Sequence, residues 1–158
     1  MNATRWTCRL ACLALLVTGA ALAGGDWNDG GIAWTPYEEG LAAAAKQNKP
    51  ICLVFYTDTC PHCTTYSAVF HDPKVVAASK DFVMIRLNKH ENTELSAKYA
   101  PDGEYIPRTY FLSSKGELDA TIQTPRDKYF YFYSPTDPES LLDGMARAMD
   151  KLSSSSGG

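Results

Sequence analysis

A chain of 158 residues with 45% hydrophobic and 21% charged content has room for one domain with a sizeable core. Its formal charge of -3, from 15 Lys and Arg against 18 Asp and Glu, argues against nucleic acid as a partner, because phosphate binding needs a basic patch. The longest apolar run, Leu10 to Leu22, is shorter than the roughly 20 residues that cross a bilayer, so no membrane span is expected.

Arg5 and Arg9 precede that run and Ala21-Leu22-Ala23 closes it, the pattern of a secretory signal peptide over residues 1–23. Cys12 is not read as a lipid anchor, because no leucine stands three positions upstream and the apolar region continues beyond it. Without the leader, 13 basic residues face 18 acidic ones, a charge of -5, and Cys52, Cys60 and Cys63 remain. An odd number of cysteines in an exported chain argues against a disulfide framework and fits one pair plus a buried thiol, Cys52, inside a strand pattern. The rest divides into one domain over 24–152 and a low-complexity, disordered tail over 153–158.

Gly24 to Gly31 reads as a loose mature N-terminus with Trp27 and Trp34 as anchors. Thr35-Pro36-Tyr37-Glu38 reads as a capping box, opening a helix from about Pro36 to Asn48 with Leu41, Ala44 and Ala45 on its apolar face. Ile51 to Tyr56 is continuously apolar and short, as a central strand covered on both faces should be. After Cys60-Pro61-His62-Cys63, the residues Tyr66, Val69 and Phe70 recur at helical spacing. Asp72-Pro73 restarts a helix through about Ser79, and Phe82 to Leu87 is the next buried strand. Strand, helix and strand at this separation form a right-handed parallel unit.

Glu91 to Tyr99 predicts a short helix and Pro101-Asp102-Gly103 a turn. Pro107 stands at the entrance of the apolar strand Thr109 to Leu112, and Leu118 to Gln123 is expected to pair back antiparallel. Lys128 to Tyr133 alternates tyrosine and phenylalanine, which reads either as a half-buried strand or as an exposed platform for a partner. Asp137-Pro138-Glu139 opens a last helix to about Leu152, with Leu141, Leu142, Met145, Ala148 and Met149 facing inward.

The chemistry centres on Cys60 and Cys63, which fall at i and i+3 at the start of a helix and can close a small disulfide ring. The unpaired N–H groups and positive end of that helix favour a thiolate at Cys60, the candidate nucleophile, with Cys63 resolving the mixed disulfide. Zinc is the rival use of such a pair, but it needs four ligands, and His62, His71 and His90 do not supply a second pair. Covalent haem needs a histidine directly after the second cysteine, where Thr64 stands. No metal or organic cofactor is expected. His62 beside the thiolate adds a donor and, when protonated, a positive charge, which stabilises the reduced pair and makes its disulfide more oxidising. The bland alternative leaves His62 exposed at a helix start.

The apolar strand, the Cys-x-x-Cys, the helix and the later Ile106-Pro107 together resemble the thioredoxin superfamily. That resemblance implies an α/β thioredoxin fold, a central mixed sheet of four to five strands flanked by helices, with a cis-Pro loop facing the Cys-x-x-Cys helix. It implies a cis bond at Pro107, which the residues alone leave open against trans, and a backbone at Ile106 that pairs with an extended substrate peptide. Asn28 to Gly40, the segment Pro101 to Arg108 and the run Tyr129 to Met145 are similar to the small endoplasmic-reticulum thioredoxin-like proteins of the anterior-gradient group. Those proteins end in a retention signal, whereas this chain ends Ser156-Gly157-Gly158. The Pro61-His62 dipeptide is that of the DsbA-type periplasmic oxidants. The buried acid that thioredoxins carry six residues before the first cysteine is replaced here by Val54, with Asp58 as a stand-in or a plain loop acid.

These readings converge on a periplasmic or secreted thiol-disulfide oxidoreductase, expected to be a monomer, acting on protein thiols and disulfides with an unidentified redox partner protein. Its site comprises Cys60, Pro61, His62, Cys63 and Pro107, with Ile106 and Arg108 binding substrate. The alternative is a non-catalytic binding or chaperone-like module that uses the aromatic run, with Tyr131 and Tyr133 as its contacts.

Overall fold

The computed structural model describes residues 25–152, so the leader expected over 1–23 and the tail over 153–158 lie outside the described residues. Four strands, β1 (Trp34–Thr35), β2 (Ile51–Tyr56), β3 (Val83–Asn88) and β4 (Arg108–Leu112), form one sheet in the order β1-β3-β2-β4. β2 and β3 run parallel from Ile51↔Val83 to Tyr56↔Asn88, and β4 lies antiparallel to β2 from Phe55↔Arg108 to Ile51↔Leu112. The helices are α1 (Tyr37–Gln47), α2 (Pro61–Ser67), α3 (Pro73–Ser79), α4 (Thr93–Lys98) and α5 (Pro138–Leu152), with a 3-10 turn at Ala68–His71 between α2 and α3.

The period of two in each strand sorts the core into two layers. Cys52, Val54, Met84 and Phe111 point to one side, where α2, α3 and α5 contribute Cys63, Tyr66, Val75, Leu141 and Met145, and where Trp27 packs. Ile51, Leu53, Phe55, Ile85, Tyr110 and Leu112 point to the other side, over Tyr37 and Ala44 of α1 and over Tyr99 and Tyr131. Continuous apolar character in β2 thus reports a strand covered on both faces, as its sequence implies.

Several local expectations are corrected. The capping box at Thr35 does not form: its hydroxyl donates to the Met84 carbonyl at 3.0 Å, and no side chain caps α1. Thr35 is instead half of β1, a strand of two residues that pairs parallel with β3. The buried face of α1 is Tyr37, Gly40 and Ala44, with Ala45 exposed; at Gly40 a Cβ would stand 2.5 Å from Ile85. Leu118 to Gln123 makes only an isolated bridge, Leu112↔Leu118, because Asp119 accepts the Thr121 N–H on its side chain and the Ile122 N–H on its carbonyl. That turn takes the chain away from the sheet edge.

Lys128 to Tyr133 forms no strand, and its tyrosines do not share one face. Tyr131 and Tyr133 are each 1% exposed, whereas Tyr129 is 45% exposed. A left-handed Tyr129, φ 58°, and the Phe132 N–H donating to the Tyr129 carbonyl make this a turn. Two buried tyrosines cannot serve as an exposed platform, so the contacts proposed at Tyr131 and Tyr133 are withdrawn.

Candidate functional site

β2 ends at Tyr56 and delivers the chain through Thr57 and Asp58 to Cys60, the N-cap of α2. The Cys60 sulfur accepts the Cys63 N–H at 3.2 Å, the position in which a Ser or Asp oxygen commonly caps a helix. Pro61 occupies the first helical position, where its missing N–H costs nothing. The next turn of helix carries Cys63 inward, to full burial, while Cys60 stays partly exposed. The two cysteines are free thiols, not bonded to each other. Burial pushes the Cys63 thiol well above the usual thiol range, helped by its hydrogen bond with Cys60 and by the nearby Asp58 charge, and opposed by a backbone hydrogen bond at Thr57. Cys52, wholly buried in β2, is pushed up by burial alone.

The sulfur-bearing helix is held from both sides. The Tyr66 and Thr109 hydroxyls share a hydrogen bond of 2.8 Å that ties α2 to β4. Trp27 packs edge-on against Tyr66, with centroids 6.2 Å apart, and the Asn28 side chain donates to the Phe70 carbonyl at 2.8 Å. The N-terminal segment, read from sequence as loose, is therefore an anchor for the back of α2.

The Ile106-Pro107 bond is cis. Since Arg108 pairs with Phe55, Pro107 lies one step beyond, at the end of the sheet where β2 leaves for Cys60. Ile106 and Cys60, both half-buried, pack against the same hydrophobic cluster. The two parts of the sequence motif thus lie toward the same end of the sheet.

Arg108, expected to bind substrate, is corrected. It is 0% exposed, and its guanidinium donates to the carbonyls of Ser96, Tyr99 and Gly103 and to the Ser96 hydroxyl, at 2.5 to 3.3 Å. It lies 4.9 Å from the Phe55 ring centroid, a cation-π contact. Its side chain fixes the loop that leads into Pro107 from within. The signal available in the sequence was its place directly before the apolar strand Thr109 to Leu112.

Asp58 is exposed and accepts a hydrogen bond from the Asn88 side chain at 3.0 Å, so it is a loop acid tied to the end of β3. Val54 is fully buried. His62 is exposed, with its ring 5.9 Å from that of Phe132 and almost perpendicular to it, at 81°. Phe132 is a neighbour of the site that sequence reasoning missed. Among the described residues no group of three or more His, Cys, Asp or Glu stands together as a metal site, and no helix is long and apolar enough to cross a membrane.

Residues 33–114 match a family model described as Thioredoxin-like. Anterior gradient protein 2 homolog of Pongo abelii is 34% identical over 128 residues, covering 80% of this chain and 71% of that protein. Anterior gradient protein 3 of Mus musculus is 33% identical over 131 residues, covering 81% of this chain and 77% of that protein. Among solved structures, a thioredoxin from Thermus thermophilus superposes with a TM-score of 0.58 at 21% identity, over 77% of this chain and 89% of that one. A disulphide isomerase from Xylella fastidiosa Temecula1 does so with a TM-score of 0.54 at 23% identity, over 70% and 86%.

Proposed function

This chain belongs to the thioredoxin-like family, and from that premise we propose that it is an exported thiol-disulfide oxidoreductase working through Cys60 and Cys63 on protein substrates. The observation that carries the reading is the asymmetry of the pair: a partly exposed Cys60 sulfur accepting the Cys63 N–H, with a fully buried, proton-retaining Cys63 behind it. An exposed sulfur that already accepts a backbone hydrogen bond is suited to attack, because that bond strengthens when sulfur is an anion.

In the reductive direction the Cys60 thiolate attacks one sulfur of a substrate disulfide. The substrate S–S bond breaks, a mixed disulfide forms, and the second substrate sulfur leaves as thiolate, taking up a proton. Cys63 then loses its proton and attacks the Cys60 sulfur. The Cys60-Cys63 disulfide forms and the first substrate cysteine leaves, so the substrate gains the two electrons that the pair gives up. Read backwards, the same steps oxidise a substrate dithiol. Cis Pro107 and the backbone of Ile106 shape the place where an extended substrate peptide lies beside Cys60. His62, two residues past the attacking Cys60, favours the reduced form.

The test is exchange with a peptide disulfide. Cys63→Ser should accumulate the mixed disulfide at Cys60, visible on a non-reducing gel, and Cys60→Ser should reduce exchange to background. Equal exchange by parent and Cys60→Ser overturns the reading. A binding module that does not use its thiols is the second reading, favoured by Tyr129, exposed and edge-on to Tyr105 with centroids 4.7 Å apart. It predicts partner capture that survives loss of both cysteines and fails in Tyr129→Ala.

A further inference from the structure

The aromatic run Lys128 to Tyr133 is left without a role by disulfide exchange alone, yet it touches both halves of the site. Tyr131 lies on Tyr110 with centroids 4.5 Å apart, and Tyr133 meets Phe111 edge-on at 5.9 Å. The Tyr131 carbonyl accepts the Thr109 N–H at 2.9 Å, two residues past Pro107, and its N–H donates to the Tyr105 hydroxyl. The turn is thus fastened at residues 131 and 133, both fully buried.

Phe132, between the two anchors, is only half-buried. It meets His62. On the same ring the Arg126 guanidinium lies 5.0 Å from the centroid, a cation-π contact that adds to the order of the ring. A histidine exposed at a helix start has several rotamers open to it, and an aromatic edge or face held rigidly beside it narrows that choice.

We propose that Phe132 is a positioning residue for His62, holding the imidazole beside the Cys60-Cys63 pair and thereby setting how oxidising that pair is. The inference rests on the disulfide-exchange reading and deepens it. Hydrogen bonding and charge from the imidazole stabilise the Cys60 thiolate, hence the dithiol form, only while the ring stays close. Loss of Phe132 frees the exposed ring to turn away from the pair, and the equilibrium shifts toward the protein disulfide. Ring contact is the operative feature, so tyrosine at this position preserves the effect and leucine does not.

The experiment is the equilibrium of the full chain with glutathione, in which protein disulfide and two glutathione thiols convert to protein dithiol and glutathione disulfide. Phe132→Leu should shift it about threefold to tenfold toward the protein disulfide, or roughly 15 to 30 mV. Phe132→Tyr should match the parent. Added to His62→Ala, Phe132→Leu should change nothing further, since a positioning residue acts only through the group it positions. An unshifted equilibrium in Phe132→Leu, or a full shift that persists without His62, overturns the inference while exchange itself remains. A parent protein that does not exchange with glutathione at all overturns both readings together.

Discussion

Arg86 and Arg108 occupy opposite faces of one sheet, and each is stacked on aromatic rings, but the protein treats them differently. Arg86 lies on the sulfur-bearing face, 5.2 to 5.5 Å from the rings of Trp27, Trp34 and Tyr56, and its guanidinium reaches out to Asp29 at 2.8 Å. Arg108, on the other face, is wholly enclosed and its partners are carbonyls and a hydroxyl. One cation stays at the rim beside a carboxylate; the other is built into the interior as a clamp. The lesson concerns the thiols: the face that buries Cys52 and Cys63 keeps its cation at the edge, and the shift at Cys63 comes first from burial.

The largest expected effect breaks the interior clamp. Arg108→Met removes the donor to the enclosed Ser96 and Tyr99 carbonyls and to the Gly103 carbonyl nearer the surface, while the Ser96 hydroxyl keeps its bond to Glu104; each buried group left unpaired costs about 1–3 kcal/mol. Some of these groups will find water as the loop relaxes, so a net loss of about 3 kcal/mol or more is expected in urea unfolding. Exchange should fall as well, because the clamped carbonyls belong to the segment that leads into Pro107. Arg108→Lys should not rescue either property, since a single ammonium cannot reproduce the planar fork. Full stability in Arg108→Met would show that the clamp is dispensable.

This comparison also marks what could be read from residues alone. The strand Ile51 to Tyr56 and the Cys60 helix start were legible because each has a local cause, burial on both faces or a capping position, whereas the cis bond at Ile106-Pro107 followed only from the resemblance, since a proline before a strand fits cis and trans alike. β1 escaped because two residues are too few to show a period. The strand expected over Leu118 to Gln123 failed on a local competitor, the Asp119 side chain, which captures a backbone N–H that a ladder would need. Arg108 and Phe132 escaped for another reason. Arg108 reaches carbonyls 5 to 12 residues upstream that no local pattern marks as partners, and Phe132 meets His62, which only the fold brings to it.

A smaller effect sharpens the sulfur side of the comparison. A thiol whose folded pKa is raised contributes stability below the unfolded thiol value, about 8.5, and loses it as pH climbs through the folded value, here well above that. In Cys60→Ser, alkylation of Cys63 should therefore be slow at neutral pH and rise about tenfold per pH unit, without a plateau, up to pH 9. In Cys63→Ser, Cys60 should label far faster at every pH, being partly exposed. A plateau for Cys63 below pH 9 would show that something other than burial controls it.

The smallest effect is expected at the rim. In Arg86→Met the lost contacts are a cation-π stack and an ion pair whose side chains are 18% and 65% exposed, so the Arg86 charge already sees solvent. Such contacts are worth about 1 kcal/mol together, and the difference between parent and variant should shrink as salt is raised, which no salt concentration will do for Arg108→Met. The glutathione equilibrium is the more telling readout. If the sulfur face is governed by burial, Arg86→Met leaves that equilibrium within about twofold of the parent, less than 10 mV. A shift as large as that expected for Phe132→Leu would mean that a cation at the rim reaches the sulfurs through the aromatic layer, and the division of labour between the two arginines would have to be redrawn.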